Sequence, residues 1–144
     1  MSRRTWFTLL PLLWLVVSCG SLPGKAPQES AARAARTALS GTITYRPRVA
    51  LTPKAIVRVW LQDMSEPKSP VPVIVDAITL ENPGQVPIAF TLRYDPKRIV
   101  PERRYTILVK IYEGDRTRFV NAKPVDVITR GCTANCEIVV DLMN

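Results

Sequence analysis

The chain contains no histidine among its 144 residues. That absence removes imidazole-based triads, the commonest zinc ligand and the commonest general base together. Glycine is also scarce. The six glycines form neither a phosphate-cradling loop nor a dinucleotide fingerprint. Carboxylates could still perform acid–base work, but Asp63 with Glu66 falls at a strand end, and Asp126 and Asp141 fall on exposed strand positions. They read as solvated surface acids. The expectation is a non-enzymatic protein with no metal or organic cofactor. Long hydrophobic runs are missing too: Trp6 to Val17 (WFTLLPLLWLVV) is 12 residues, interrupted by Pro11, whereas a membrane span needs about 20.

What the N-terminus does contain is a charged start with Arg3 and Arg4, that short apolar stretch, and then Ser18-Cys19-Gly20. These are the three parts of a secretory signal. The paired arginines loosely resemble a twin-arginine signal, while the leucine-rich stretch favours the general secretory route. Val16-Val17-Ser18-Cys19 resembles the lipobox of bacterial lipoproteins. The resemblance implies diacylglycerol on the Cys19 thiol, cleavage after residue 18 and acylation of the new amine. Two acyl chains, at about 0.8 kcal/mol per buried methylene, give stable anchoring where one would be marginal. Gly20 is not the aspartate linked to inner-membrane retention in enteric bacteria, which favours the outer membrane, facing the periplasm.

Residues 19–38 are rich in Ser, Pro, Gly, Gln and Ala and read as a flexible tether, with Ala31 to Ala38 able to form a short helix instead. About 19 residues reach roughly 60 Å when extended. The remaining residues, 39–144, are expected to form one domain.

In that domain the apolar pattern has period two. Val57, Val59 and Leu61 alternate with Arg58, Trp60 and Gln62; Ile88, Phe90 and Leu92 with Ala89, Thr91 and Arg93; Tyr105, Ile107, Val109 and Ile111 with Thr106, Leu108 and Lys110. Further strands are expected at Ser40 to Arg46, Val71 to Leu80, Arg118 to Asn121, Val125 to Thr129 and Glu137 to Leu142. Turn signals separate them, among them Asn82-Pro83-Gly84, Asp95-Pro96 and Glu113-Gly114-Asp115. The pattern predicts an all-β fold, a single antiparallel β-sandwich of seven or eight strands.

With Cys19 committed to lipid, two thiols remain in an oxidising compartment. Parity predicts a Cys132–Cys136 disulfide, placed at the ends of a hairpin loop between the last two strands. The same pair leaves open a redox or copper-handling lipoprotein, although two thiolates without His or Met nearby make an incomplete copper site.

The formal charge is +8, and removing Arg3 and Arg4 leaves +6. The cations are scattered without a recognition motif or aromatic platform, so no nucleic-acid partner is expected. Anionic headgroups, anionic glycans or an acidic protein face suit an envelope protein better. Arg93, Lys97, Arg98, Arg103 and Arg104 are concentrated around Tyr94-Asp95-Pro96 as a candidate basic rim. Trp60, on the face opposite Val59 and Leu61, either covers a second core layer or anchors a partner.

Ser40 to Ser65 (SGTITYRPRVALTPKAIVRVWLQDMS) resembles the opening of the YbaY/YscW lipoprotein family. Pro83 to Ile99 resembles its Val-Pro-Ile strand closing on Tyr-Asp-Pro, and Arg104 to Asn121 its Tyr-bearing strand, Gly turn and Phe-bearing return strand. The resemblance implies a lipid-anchored β-sandwich. One branch comprises type III secretion pilotins, which bind a secretin's C-terminal segment and help it reach and assemble in the outer membrane. The expected function is therefore a pilotin-like binding or assembly module for an envelope protein such as a secretin, with a purely structural surface lipoprotein as a further alternative. The Cys132/Cys136 pair departs from the family pattern.

Overall fold

A computed structural model describes residues 36–66 and 71–143. The signal segment, Cys19 and the tether up to residue 35 lie outside the described residues, as does Pro67-Lys68-Ser69-Pro70. Eight strands follow in order: β1 (Thr37–Tyr45), β2 (Ile56–Asp63), β3 (Val73–Glu81), β4 (Ile88–Tyr94), β5 (Tyr105–Glu113), β6 (Arg116–Val120), β7 (Val125–Val127) and β8 (Cys136–Leu142). One 3-10 turn, Pro96–Arg98, leads out of β4. Every expected strand is present. Period-two burial explains them: in β4, Ile88, Phe90 and Leu92 are buried while Ala89, Thr91 and Arg93 face solvent.

The strands form a nearly closed, barrel-like sheet in the order β3-β2-β5-β6-β8-β1-β4, with β7 also on β5. Two halves can be distinguished. One is β4-β1-β8, the other β3-β2-β5 with β6 and β7 both laid along the free edge of β5. Among the described residues the one ladder between them is β6–β8, Phe119 with Leu142 and Val120 with Asp141, extended by a bond from Met143 N–H to the Arg118 carbonyl at 2.8 Å. Inside lie Leu39, Ile43, Val59, Leu61, Ile107, Val109 and Ile138, all essentially inaccessible, and Tyr45 stacks on Phe119 at 4.5 Å between ring centres. Each fully buried aliphatic side chain contributes roughly 1.5–3 kcal/mol.

The antiparallel expectation fails in one place. β1 and β8 are parallel, in register from Gly41 with Cys136 to Tyr45 with Val140. The expected hairpin between the last two strands is absent for the same reason: β7 pairs with β5 and β8 with β1, so residues 128–135 carry the chain from one half to the other.

β6 and β7 are one strand interrupted. Val120 pairs with Lys110 and Val125 with Ile107, so four residues, 121–124, stand opposite two of β5. The buried Asn121 side chain fills the gap in the ladder. Its Oδ1 accepts from Val109 N–H at 2.6 Å, and its Nδ2 donates to the carbonyls of Ile107 at 2.8 Å and Lys123 at 3.2 Å.

Candidate functional site

Sheet pairing fails at two seams. The first lies between β7 and β8, below the short β6–β8 junction. A groove of about 440 Å³ opens there, lined by Arg46, Lys123, Val125, Glu137, Val139 and Asp141. Two cations and two carboxylates cancel, and Val139 is 38% exposed, which is high for a strand aliphatic. The lower end is bounded by the Cys132–Cys136 disulfide, with Cα atoms 5.7 Å apart, and by a Val127–Cys132 bridge. Closing so short a loop contributes about 2 kcal/mol by the chain-entropy argument. Ile128, at φ +62, is a β-branched residue in the left-handed region, which costs about 1–3 kcal/mol. Its N–H donates to the Cys132 carbonyl at 2.9 Å, so the staple holds the strained residue in place.

The second seam separates edge strands β3 and β4. A side chain substitutes for the missing ladder here: Asp76 Oδ2 on β3 accepts from Arg93 N–H on β4 at 2.8 Å. Below it lies a cleft of about 390 Å³, whose lining includes Arg36, Asp76, Arg93, Asp95, Lys97 and Arg98 over Val75 and Tyr94. Asp95 caps the 3-10 turn through the Lys97 N–H at 2.9 Å. Burial pushes the Tyr94 hydroxyl above its ordinary pKa, so it stays neutral at physiological pH.

The basic rim read from the sequence therefore splits. Arg93, Lys97 and Arg98 share the cleft, whereas Arg103 and Arg104 turn to carboxylates: Arg103 to Asp63 at 2.9 Å, and Arg104 to both oxygens of Asp126 at 2.6 and 3.2 Å. The reading of Asp63 and Asp126 as solvated acids is corrected with it. Asp63 is only 7% exposed, and Asp126 is half-buried in its pair. Trp60 is half-buried on the outer sheet face between its register partners Ala77 and Leu108, outside the single core. Neither seam includes it. Sequence reasoning missed Arg36, taken as tether, and Asp76. The signal for Asp76 was present, since one charge inside the apolar Val71 to Leu80 run is how natural edge strands block further pairing.

Asp63 makes stability pH-dependent. Burial would raise its pKa, but hydrogen bonds from Ser65 and the Arg103 pair outweigh that and hold it below the ordinary carboxylate value. A depressed folded-state pKa stabilises above the unfolded value of about 3.9 and stops doing so as pH falls through the folded value. Wild type is therefore expected to lose stability below about pH 4, and Asp63→Asn to be weaker at pH 7 with a flatter acid limb. Urea midpoints at pH 7 and pH 3 check this; parallel losses in both proteins would contradict it.

A family model described as type III secretion system lipoprotein chaperone (YscW) matches residues 34–140. The chain belongs to this family. A curated relative, an uncharacterized lipoprotein YbaY of Escherichia coli K12, is 30% identical over 95 residues, covering 66% of this chain. The chain spans about half the length of that relative, with 50% of it matched. Among solved structures, an alternative pilotin from the type II secretion system of Vibrio cholerae aligns with a TM-score of 0.67 and 28% identity. The alignment covers 74% of this chain and 97% of that one. The YbaY/YscW assignment and the all-β fold both stand on these matches. The matched family is one of lipoproteins.

Proposed function

We infer that this chain is an outer-membrane lipoprotein, anchored through Cys19, that binds a secretin-type envelope protein and assists its assembly without catalysing a reaction. The likeness to a solved pilotin over nearly that protein's whole length carries the reading. The β7–β8 groove is the place for the partner. Among the described residues its walls are strand edges without a neighbour over Glu137 to Val140, its charges cancel, and the exposed Val139 beside the half-buried Val125 suits an apolar side chain of an extended segment. Main-chain pairing supplies affinity in such strand addition, and pockets supply specificity.

A photo-crosslinking residue at Val139, in intact cells, is expected to yield an adduct with an outer-membrane secretin. The same residue at exposed Thr79 on β3 is expected to yield none. Secretin adducts from Thr79 but not from Val139 would place the partner elsewhere, and no secretin adduct from either would overturn the reading. Mass spectrometry of the mature protein tests the anchor separately, by diacylglyceryl mass on Cys19.

A further inference from the structure

We propose that the β3–β4 cleft and the aliphatic rim beside it dock on an anionic phospholipid surface, with a headgroup phosphate held among Arg36, Arg93, Lys97 and Arg98. Asp76 and Asp95 each accept one main-chain N–H, from Arg93 and Lys97. No ion pair engages the four cationic side chains among the described residues. The cleft thus carries a net charge of +2. Guanidinium groups bind phosphate through paired N–H donors, and three of the four cations are arginines.

Topology makes the occupant a membrane. β1 starts beside the end of β4, Thr37 opposite Tyr94, so the chain enters the domain at Arg36, in the wall of the cleft itself. The preceding residues lead back to Cys19. The same end of the barrel carries the end of β2, the start of β3 and the connection out of β4. Met64, Val71, Val73, Ile74 and Val100, at 39–68% exposure, lie on those segments, five of the nine large hydrophobic residues exposed among the described ones. Cations beside exposed aliphatics suit the headgroup boundary, where apolar burial and attraction to anionic lipid add. An acidic peptide would account for the cations but not for the rim or for the point of chain entry. The inference rests on the Cys19 anchor of the proposed function for its orientation, but not on the partner.

The test separates the surface from the anchor. Every buried core residue among those described lies between Leu39 and Val140, so a chain beginning at Gly20 keeps the whole core and carries no lipid. Its binding is measured by flotation with vesicles of phosphatidylglycerol in phosphatidylcholine, and with phosphatidylcholine alone. Binding is expected only with phosphatidylglycerol, and is expected to weaken as salt is raised. The triple variant Arg36→Gln, Lys97→Gln, Arg98→Gln should lower the partition coefficient roughly 100-fold. A matched triple at the opposite end, Arg48→Gln, Lys54→Gln, Arg116→Gln, removes the same charge and should change it less than threefold. The substitution Val73→Ser should weaken binding at high salt, where the apolar contribution remains. Equal losses from the two triples would reduce the effect to net charge and overturn the proposal. So would a wild-type chain that ignores phosphatidylglycerol, or one whose cleft binds a polyglutamate peptide in preference to the vesicles. A negative result with diacylglyceryl mass present on Cys19 would sink the surface and leave the anchor standing.

Discussion

Asn121→Leu is expected to destabilise the domain by about 4 kcal/mol, although leucine is nearly the same size and the site is buried. The reason is the interrupted strand. With residues 121–124 looped away from β5, the Val109 N–H finds its acceptor in the Asn121 Oδ1, while the amide Nδ2 donates to the carbonyl of Lys123 and to that of Ile107, a residue that keeps its ladder partner Val125. Leucine supplies none of the three bonds: an unpaired buried Val109 N–H costs about 1–3 kcal/mol, and each lost carbonyl bond about 1 kcal/mol more. Against a typical total of about 5–15 kcal/mol the loss is severe. It corresponds to a melting temperature lower by about 20 °C for a domain of this size. Asn121→Asp separates hydrogen bonding from packing: the carboxylate can still accept from Val109, but it cannot donate to Ile107 or Lys123 and buries a charge besides. Both variants should fall well below wild type in urea midpoint. A loss under about 1 kcal/mol for leucine would show that water or a backbone shift satisfies β5 without the amide.

Asn121 also marks where sequence reading reaches its limit. Alternating burial is local, so all eight strands were legible; Asn121, read as the last residue of one, instead lies just past the end of β6 at Val120. Pro124, which has no N–H to give a ladder, was the sign of a break there. Pairing partners are non-local and leave no trace in periodicity. Nothing in Cys136 to Leu142 says that β8 lies parallel to β1, so the hairpin reading of the two cysteines failed although their pairing followed from parity alone. The basic rim divided for a similar reason. Arg103 and Lys97 look equivalent along the chain, but the fold brings Asp63 from 40 positions away to Arg103 and leaves Lys97 at the cleft. Arg36 was invisible because it is polar and lies beside an alanine-rich stretch, and only the β1–β4 register shows it at a seam.

Gly41→Ala tests that unexpected parallel pairing through the sign of its effect. Glycine inside a strand usually weakens it, and replacement by alanine gains roughly 0.5–1 kcal/mol when space allows. Here there is none. Gly41 sits between Cys136 of β8 and Phe90 of β4, its register partners on either side. A Cβ at this position would run into the Cys136 carbonyl oxygen and lie 2.7 Å from two carbons of the Phe90 ring. The ring can yield a little, but the carbonyl belongs to a backbone fixed by the disulfide to Cys132. Alanine must therefore push β8 away from β1, at a cost of about 3 kcal/mol. Phe90→Leu in the same chain relieves only the ring contact and should recover less than half of that loss. If Gly41→Ala raises the urea midpoint instead, the close approach of β1 and β8 is wrong. β8 is also one wall of the proposed partner groove, so the same substitution should weaken secretin adducts from Val139 while leaving vesicle binding at the β3–β4 cleft intact. That pairing of outcomes follows from the geometry, because the two seams share no lining residue and lie on opposite edges of the β4-β1-β8 half.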